Sequence, residues 1–188
     1  MKLLSAAAVF AIALTTALTC NPAHAQDAAG AGATAAKSAP AKSVTANIIN
    51  ADNQTVGTAT FAPAANGVRI TLDIKKLPPG PHLMHIHEHA KCNAPDFKTA
   101  GAHFNPTDPS HSMGGMGSMA GDIPHFELTV ADNGTAHTSV IAPGVTKGDA
   151  PNSIFANGGT SLVIHEVANT VGDAAPPRIA CAVITRAK

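Results

Sequence analysis

Tryptophan and tyrosine are absent from this chain, and six phenylalanines are its whole aromatic complement. An excess of charge of either sign is absent too, because twelve lysines and arginines balance twelve aspartates and glutamates. Nothing in this composition suggests a nucleic-acid surface, which needs a clustered basic excess. Beyond Leu18 no apolar run is long enough to cross a bilayer, so no membrane span is expected in the body of the chain. Beyond Ser43 no stretch carries a convincing helical period. Cysteine is scarce, at three residues. Histidine is not: there are ten, and several stand at spacings that suit a metal.

The N-terminus reads as an export signal. Lys2 is a positive n-region, Leu3 to Leu18 is a mostly apolar run short for a span, and Ala23-His24-Ala25 is an A-x-A cleavage signal. Residues 1–25 are therefore expected to be a signal peptide cleaved after Ala25, with a retained N-terminal anchor as the alternative. Cys20 follows Leu18-Thr19, a poor match to a lipoprotein signal, and leaves with the signal peptide. Cys92 and Cys181 remain, and an even pair in an exported chain reads as a disulfide. Residues 26–43 are Ala, Gly, Ser and Lys with almost nothing large. Such a segment cannot bury enough apolar surface to offset its ordering entropy, and it reads as a flexible tether.

Residues 44–188 amount to one domain on length. Val44 to Asn50 alternates loosely, Ala51-Asp52-Asn53-Gln54 turns the chain, and Thr55 to Phe61 follows. Val68, Ile70, Leu72 and Ile74 form a period-two stripe with Arg69, Thr71 and Asp73 opposite, the pattern of a half-buried strand that Pro78-Pro79-Gly80 breaks. Phe126 to Val130 and His137 to Ile141 flank Asp132-Asn133-Gly134, a hairpin signal. Ser161 to His165 and Ile179 to Thr185 are the last two strands expected. About eight short strands of this kind predict an all-β Greek-key sandwich or flattened barrel.

Between Gly80 and Asp122 lies the stretch that carries chemistry. His85 and His87 stand two apart, and alternate residues of a strand share a face, so both rings can aim at one point. Converging imidazoles suit Zn, Cu, Fe or Ni, with a half-buried hydrogen-bonded pair as the alternative. His103, His111 and Asp122 add three further potential ligands in the following loop, and Val163-Ile164-His165 returns another from a distant strand.

At these residues the chain resembles the copper-zinc superoxide dismutases of the bacterial, exported kind. The resemblance rests on His85-Ile86-His87, His103-Phe104-Asn105-Pro106, Gly121-Asp122, Leu162-Val163-Ile164-His165 and Arg178-Ile179-Ala180-Cys181, in the family's order and at nearly its spacing. It implies long metal-binding loops, a periplasmic location, and dismutation of superoxide to oxygen and hydrogen peroxide. It implies copper on His85, His87, His103 and His165, four imidazoles in a roughly tetragonal set that suits Cu(II). His103 is then the bridging residue, with its other nitrogen facing zinc. His82 falls where the family has a histidine supporting the ligand strand, with a surface histidine as the alternative. Arg178 is implied to overhang copper and attract the superoxide anion, and Cys92 to pair with Cys181. Homodimers and monomers both occur in the family, so a homodimer is one candidate assembly.

The chain also departs from the family. Zinc is implied on His103, His111 and Asp122, but Met119 stands where a further histidine ligand is usual, and a thioether is a poor Zn(II) ligand. Asn169 stands where an aspartate usually contacts ligands of both metals. The loop from Glu166 to Pro177 is short, and Leu83-Met84 replaces the usual Gly-Phe. A copper-dependent enzyme with a weakened zinc site is therefore expected, with zinc held by three ligands plus water or His125 as the alternative. His125 is otherwise assigned no role, and His137 is expected to face solvent. The methionine-rich run His111 to Met119 reads as a solvated glycine loop, or as a Cu(I)-capturing segment. In the latter case a periplasmic copper-binding or copper-tolerance protein with little turnover becomes the competing function.

Overall fold

The computed structural model describes residues 42–107, 119–167 and 176–186. The signal segment, most of the tether, His111, the run up to Ser118 and Asn169 lie outside the described residues. The chain divides into Met1–Lys37 and Ser38–Lys188, and every described residue belongs to the second unit.

The strands are β1 (Val44–Asn50), β2 (Thr55–Ala64), β3 (Gly67–Ile74), β4 (Gly80–His87), β5 (Leu128–Val130), β6 (Ala136–Ala142), β7 (Thr160–Glu166) and β8 (Arg178–Ile184). They form one eight-stranded antiparallel sheet in the order β5-β4-β7-β8-β1-β2-β3-β6. The crossings from β3 to β4 and from β6 to β7 give it the expected Greek-key character. Helical residues among those described are confined to single 3-10 turns at Lys98–Ala100 and Ala156–Gly158.

Alternation places the core. On β3, Val68, Ile70, Leu72 and Ile74 are buried while Arg69 and Asp73 are exposed, as the period-two stripe predicts. These side chains meet Ile48, Phe61, Met84, Ile86, Leu162, Ile164 and Ala182 in one cluster. Each large side chain so buried contributes about 1.5–3 kcal/mol.

The hairpin expected around Asp132-Asn133-Gly134 is corrected by the topology. The turn forms, with Gly134 N–H donating to Ala131 C=O at 2.8 Å and Ala131 N–H to Thr135 C=O at 2.9 Å. Its flanking strands, however, are the two edges of the sheet: β5 pairs with β4, and β6 with β3. The turn chemistry is local and was readable, whereas strand partners are chosen by long-range closure of the sheet. The two edges come together at this turn, and the sheet nearly closes into a barrel.

The loop between β4 and β5 folds back over the outer face of β7 and β8. Phe97 and Ala100 from that loop bury against Val163 and Cys181 in a second cluster, outside the barrel core. Phe104, further along, enters the main core and fixes the loop where His103 stands.

Candidate metal centre

His85 and His87 lie opposite Val163 and Ser161 of β7, and His165 lies two residues further along the same strand. A bulge between Ile164 and His165 helps assemble this face. Ile164 pairs with Ala180 and His165 with Arg178, so Ile179 has no partner. Without that extra residue, strict alternation would send Arg178 inward with Ala180 and Ala182; the bulge re-aims it to the histidine face.

The loop is laced to β4 by backbone bonds. Phe104 N–H donates to Ile86 C=O at 2.8 Å, Gly121 N–H to Phe104 C=O at 2.7 Å, and Ile86 N–H to Gly121 C=O at 2.9 Å. A Cβ at position 121 would sit 2.1 Å from the Ile86 oxygen, so only glycine permits this approach. The Gly121-Asp122 pair therefore has a mechanical reason: glycine brings the segment onto β4, and the next residue reaches His103.

His85, His87, His103 and His165 each offer one ring nitrogen, and these four atoms lie within 4.8 Å of one another. His87 Nδ1–H donates to Gly101 C=O at 3.0 Å, and His165 Nδ1–H to Pro176 C=O at 3.1 Å. A carbonyl only accepts, so in the neutral rings both Nε2 atoms are bare lone pairs, and they face each other at 3.3 Å. His85 Nδ1 is buried without a hydrogen-bond partner. Facing lone pairs and an orphaned buried nitrogen are costly in a protein alone and are satisfied by a shared cation. The residues present fit a copper ion.

Electrostatics keep these rings unprotonated. Burial pushes His85 down to about 3, with His103 and His165 adding to it. Burial pushes His87 down to about 2, against the opposing bond to Gly101. Burial likewise lowers His165 to about 4, opposed by the bond to Pro176. Metal ligands must be neutral imidazoles, and these are neutral across the ordinary pH range.

On the other side of His103, Nδ1 lies 2.8 Å from Asp122 Oδ1. Asp122 Oδ2 accepts the Met119 backbone N–H at 2.8 Å. Arg178 donates from Nη1 to Phe97 C=O and from Nη2 to Gly101 C=O, both at 2.8 Å. Burial lowers its pKa, with Asp96 opposing, but a guanidinium starts so high that it stays charged. Cys92 and Cys181 form a disulfide with a Cα–Cα distance of 5.7 Å, tying the loop to β8 three residues from Arg178.

The structure thus brings together the four histidines, Asp122 and Arg178, and joins the two cysteines. His82 is buried on the inner face of β4, not at the surface, and its Nε2–H donates to Pro78 C=O at 2.8 Å. Its alternation with Met84 and Ile86 was the available signal for that inward position. His137 is exposed, as expected. His125 is exposed in a left-handed turn at φ 58° and belongs to no group of three or more metal-ligating side chains among the described residues. Two parts of the site escaped the sequence. One is the Gly101 carbonyl that serves both His87 and Arg178; the other is the bulge that aims Arg178.

Known proteins resemble this chain in sequence and in fold. The family model described as copper/zinc superoxide dismutase (SODC) matches residues 55–184. Over 146 residues the chain is 39% identical to superoxide dismutase (Cu-Zn) 1 of Aquifex aeolicus, covering 74% of this chain and 85% of that protein. Among solved structures, a SOD-like protein from Bacillus subtilis superposes with a TM-score of 0.62 at 27% identity, covering 74% of this chain and 96% of that one. The monomeric copper, zinc superoxide dismutase from Salmonella enterica does so with a TM-score of 0.57 at 28% identity, covering 77% of this chain and 100% of that one. The chain belongs to the copper/zinc superoxide dismutase family.

Proposed function

We propose that this chain is a copper-dependent superoxide dismutase, with copper held by His85 Nδ1 and by Nε2 of His87, His103 and His165. The observation that carries the reading is the set of four convergent ring nitrogens, with the two Nε2 lone pairs face to face. Copper supplies the one-electron chemistry by which two superoxide ions and two protons become oxygen and hydrogen peroxide.

The protein does the rest. Gly101 and Pro176 fix the tautomers of His87 and His165, so their lone pairs wait at the site without reorganisation. Arg178, clamped by two carbonyls, presents fixed positive charge beside the histidines and draws in a small anion. With Nδ1 committed to Asp122, His103 Nε2 would be the atom to hold and release a proton for the peroxide whenever it is not bound to copper. The disulfide keeps Arg178 and the ligand loop in register.

Zinc fits poorly. Met119 contributes a backbone N–H to Asp122, in the place of an imidazole. Copper near one equivalent per chain and zinc well below one after dialysis are expected, and Met119→His should raise zinc retention. We assign the chain to the periplasm, with the signal peptide cleaved after Ala25. All four imidazoles come from one chain, so a homodimer is not required to complete the site.

Metal analysis of the purified protein together with superoxide turnover tests this reading. Copper bound without turnover would favour the copper-binding or copper-tolerance function instead. Absence of copper binding would overturn both.

A further inference from the structure

We infer that Asp122 is the hydrogen-bonding anchor of His103, standing where a second metal would stand, and is not a zinc ligand. This rests on the copper reading above. Two ligands of one tetrahedral zinc, each about 2.0–2.1 Å from it, lie about 3.3 Å apart. His103 Nδ1 and Asp122 Oδ1 are 2.8 Å apart, too close for that and right for a charge-assisted N–H···O bond. The contrast with His87 and His165 is internal to the site: their facing nitrogens are 3.3 Å apart, the spacing two ligands of one ion adopt.

The rest of the carboxylate is committed to the backbone. Asp122 Oδ2 takes the Met119 N–H at 2.8 Å, while Asp122 N–H donates to Met119 C=O at 3.0 Å. This closed turn aims Oδ1 at the ring and gives Met119 a role through its main chain. Gly121, which no other residue can replace beneath the Ile86 carbonyl, places the turn. Donating Nδ1–H to Asp122 fixes the tautomer of His103, so its Nε2 is a lone pair turned toward the other three histidines. Carboxylate partners of this kind orient metal-bound imidazoles and raise their basicity. Asp122 is thus a positioning residue acting through His103.

The test uses the full mature chain loaded with copper. Its Cu(II) electron paramagnetic resonance spectrum is recorded with and without excess Zn(II), for the natural protein and for Asp122→Asn. The expected result is an all-nitrogen copper spectrum indifferent to zinc. In Asp122→Asn that spectrum shifts and copper affinity falls about 10–100-fold. In the Cu(I) protein, proton–nitrogen NMR should show a slowly exchanging Nδ1–H on His103 that persists when zinc is added; this readout needs no variant and stands even where Asp122→Asn fails to fold. A natural-protein spectrum altered by zinc, with loss of that Nδ1–H, overturns the inference. So does an Asp122→Asn spectrum and copper affinity identical to those of the natural protein. A natural protein with no all-nitrogen copper spectrum would instead sink the copper assignment, and the inference with it.

Discussion

The two halves of the barrel share their inner chemistry and differ in what lies outside. In β2, β3, β6 and β1 up to Ile49, which packs against the loop cluster, the outer face meets water. Thr45, Thr60, Thr71 and Ser139 run across these four strands in register, with hydroxyl contacts of 2.9 Å between Thr45 and Thr60 and 3.2 Å between Thr71 and Ser139. In the half made of β5, β4, β7 and β8 the long loop roofs the outer face around β7 and Cys181, leaving Thr129 and Val183 exposed, and every residue of β7 except Glu166 is buried. On the second face burial strips His85, His87 and His165 of protons and leaves them as donors to a metal. One sheet supports a solvated wall and a redox site, and the roof makes the difference.

Removing a roofed ligand should have the largest effect. His85→Ala or His165→Ala should abolish dismutation while the sheet stays folded, since neither side chain belongs to the barrel core. Full turnover in either purified variant would break the comparison.

Acid should come next. The unfolded chain binds protons on these three histidines from about pH 6.5 downward, while the folded, metal-free chain refuses them until about 4, 3 and 2. Their contribution is intact above pH 6.5 and is lost progressively as pH falls toward the folded values. Denaturant midpoints of the metal-free protein between pH 7 and pH 4 should therefore drop, and a flat profile would mean the roof does not exclude protons.

Loosening the roof directly, by Cys92→Ser with Cys181→Ser, should cost about 2–4 kcal/mol and lower copper retention. The unchanged melting temperature of such a variant would detach the disulfide from this account. Arg178→Ala should slow dismutation about tenfold or more and flatten its dependence on ionic strength, with Arg178→Lys in between. Stopped-flow rates across a salt series decide that.

The smallest effect belongs to the open wall. Thr60→Ala should change stability by no more than about 0.5 kcal/mol and leave turnover alone. A larger activity change would show that the solvated half takes part in function.

Much of this was legible in the residues, for identifiable reasons. The stripe on β3 reads directly because one face is wet and the other dry. The convergence of His85, His87, His103 and His165 was readable through the spaced motifs that resemble the family, since those side chains carry the chemistry themselves. What stayed hidden depends on the main chain or on distant pairing. The Gly101 carbonyl carries no sequence identity of its own, yet it accepts from both His87 and Arg178. The bulge at Ile179 is a matter of register. The fate of the Asp132-Asn133-Gly134 turn depended on which strands lay at the edges.

That turn has a consequence for self-association. A sheet edge offers unpaired N–H and C=O groups on which a strand from another molecule can add, the first step toward fibres. Here one edge strand has three residues and the other seven, and Ala131 to Thr135 brings them against each other. Near the turn each edge is thus shielded by its counterpart, and parting β5 from β6 would lengthen the open edge of β6, a strand that already exposes Ile141, to a foreign strand. Conditions that speed hydrogen exchange along β6 should therefore be the ones that speed fibre growth. Fibre growth with β6 still fully protected would place the vulnerable strand elsewhere.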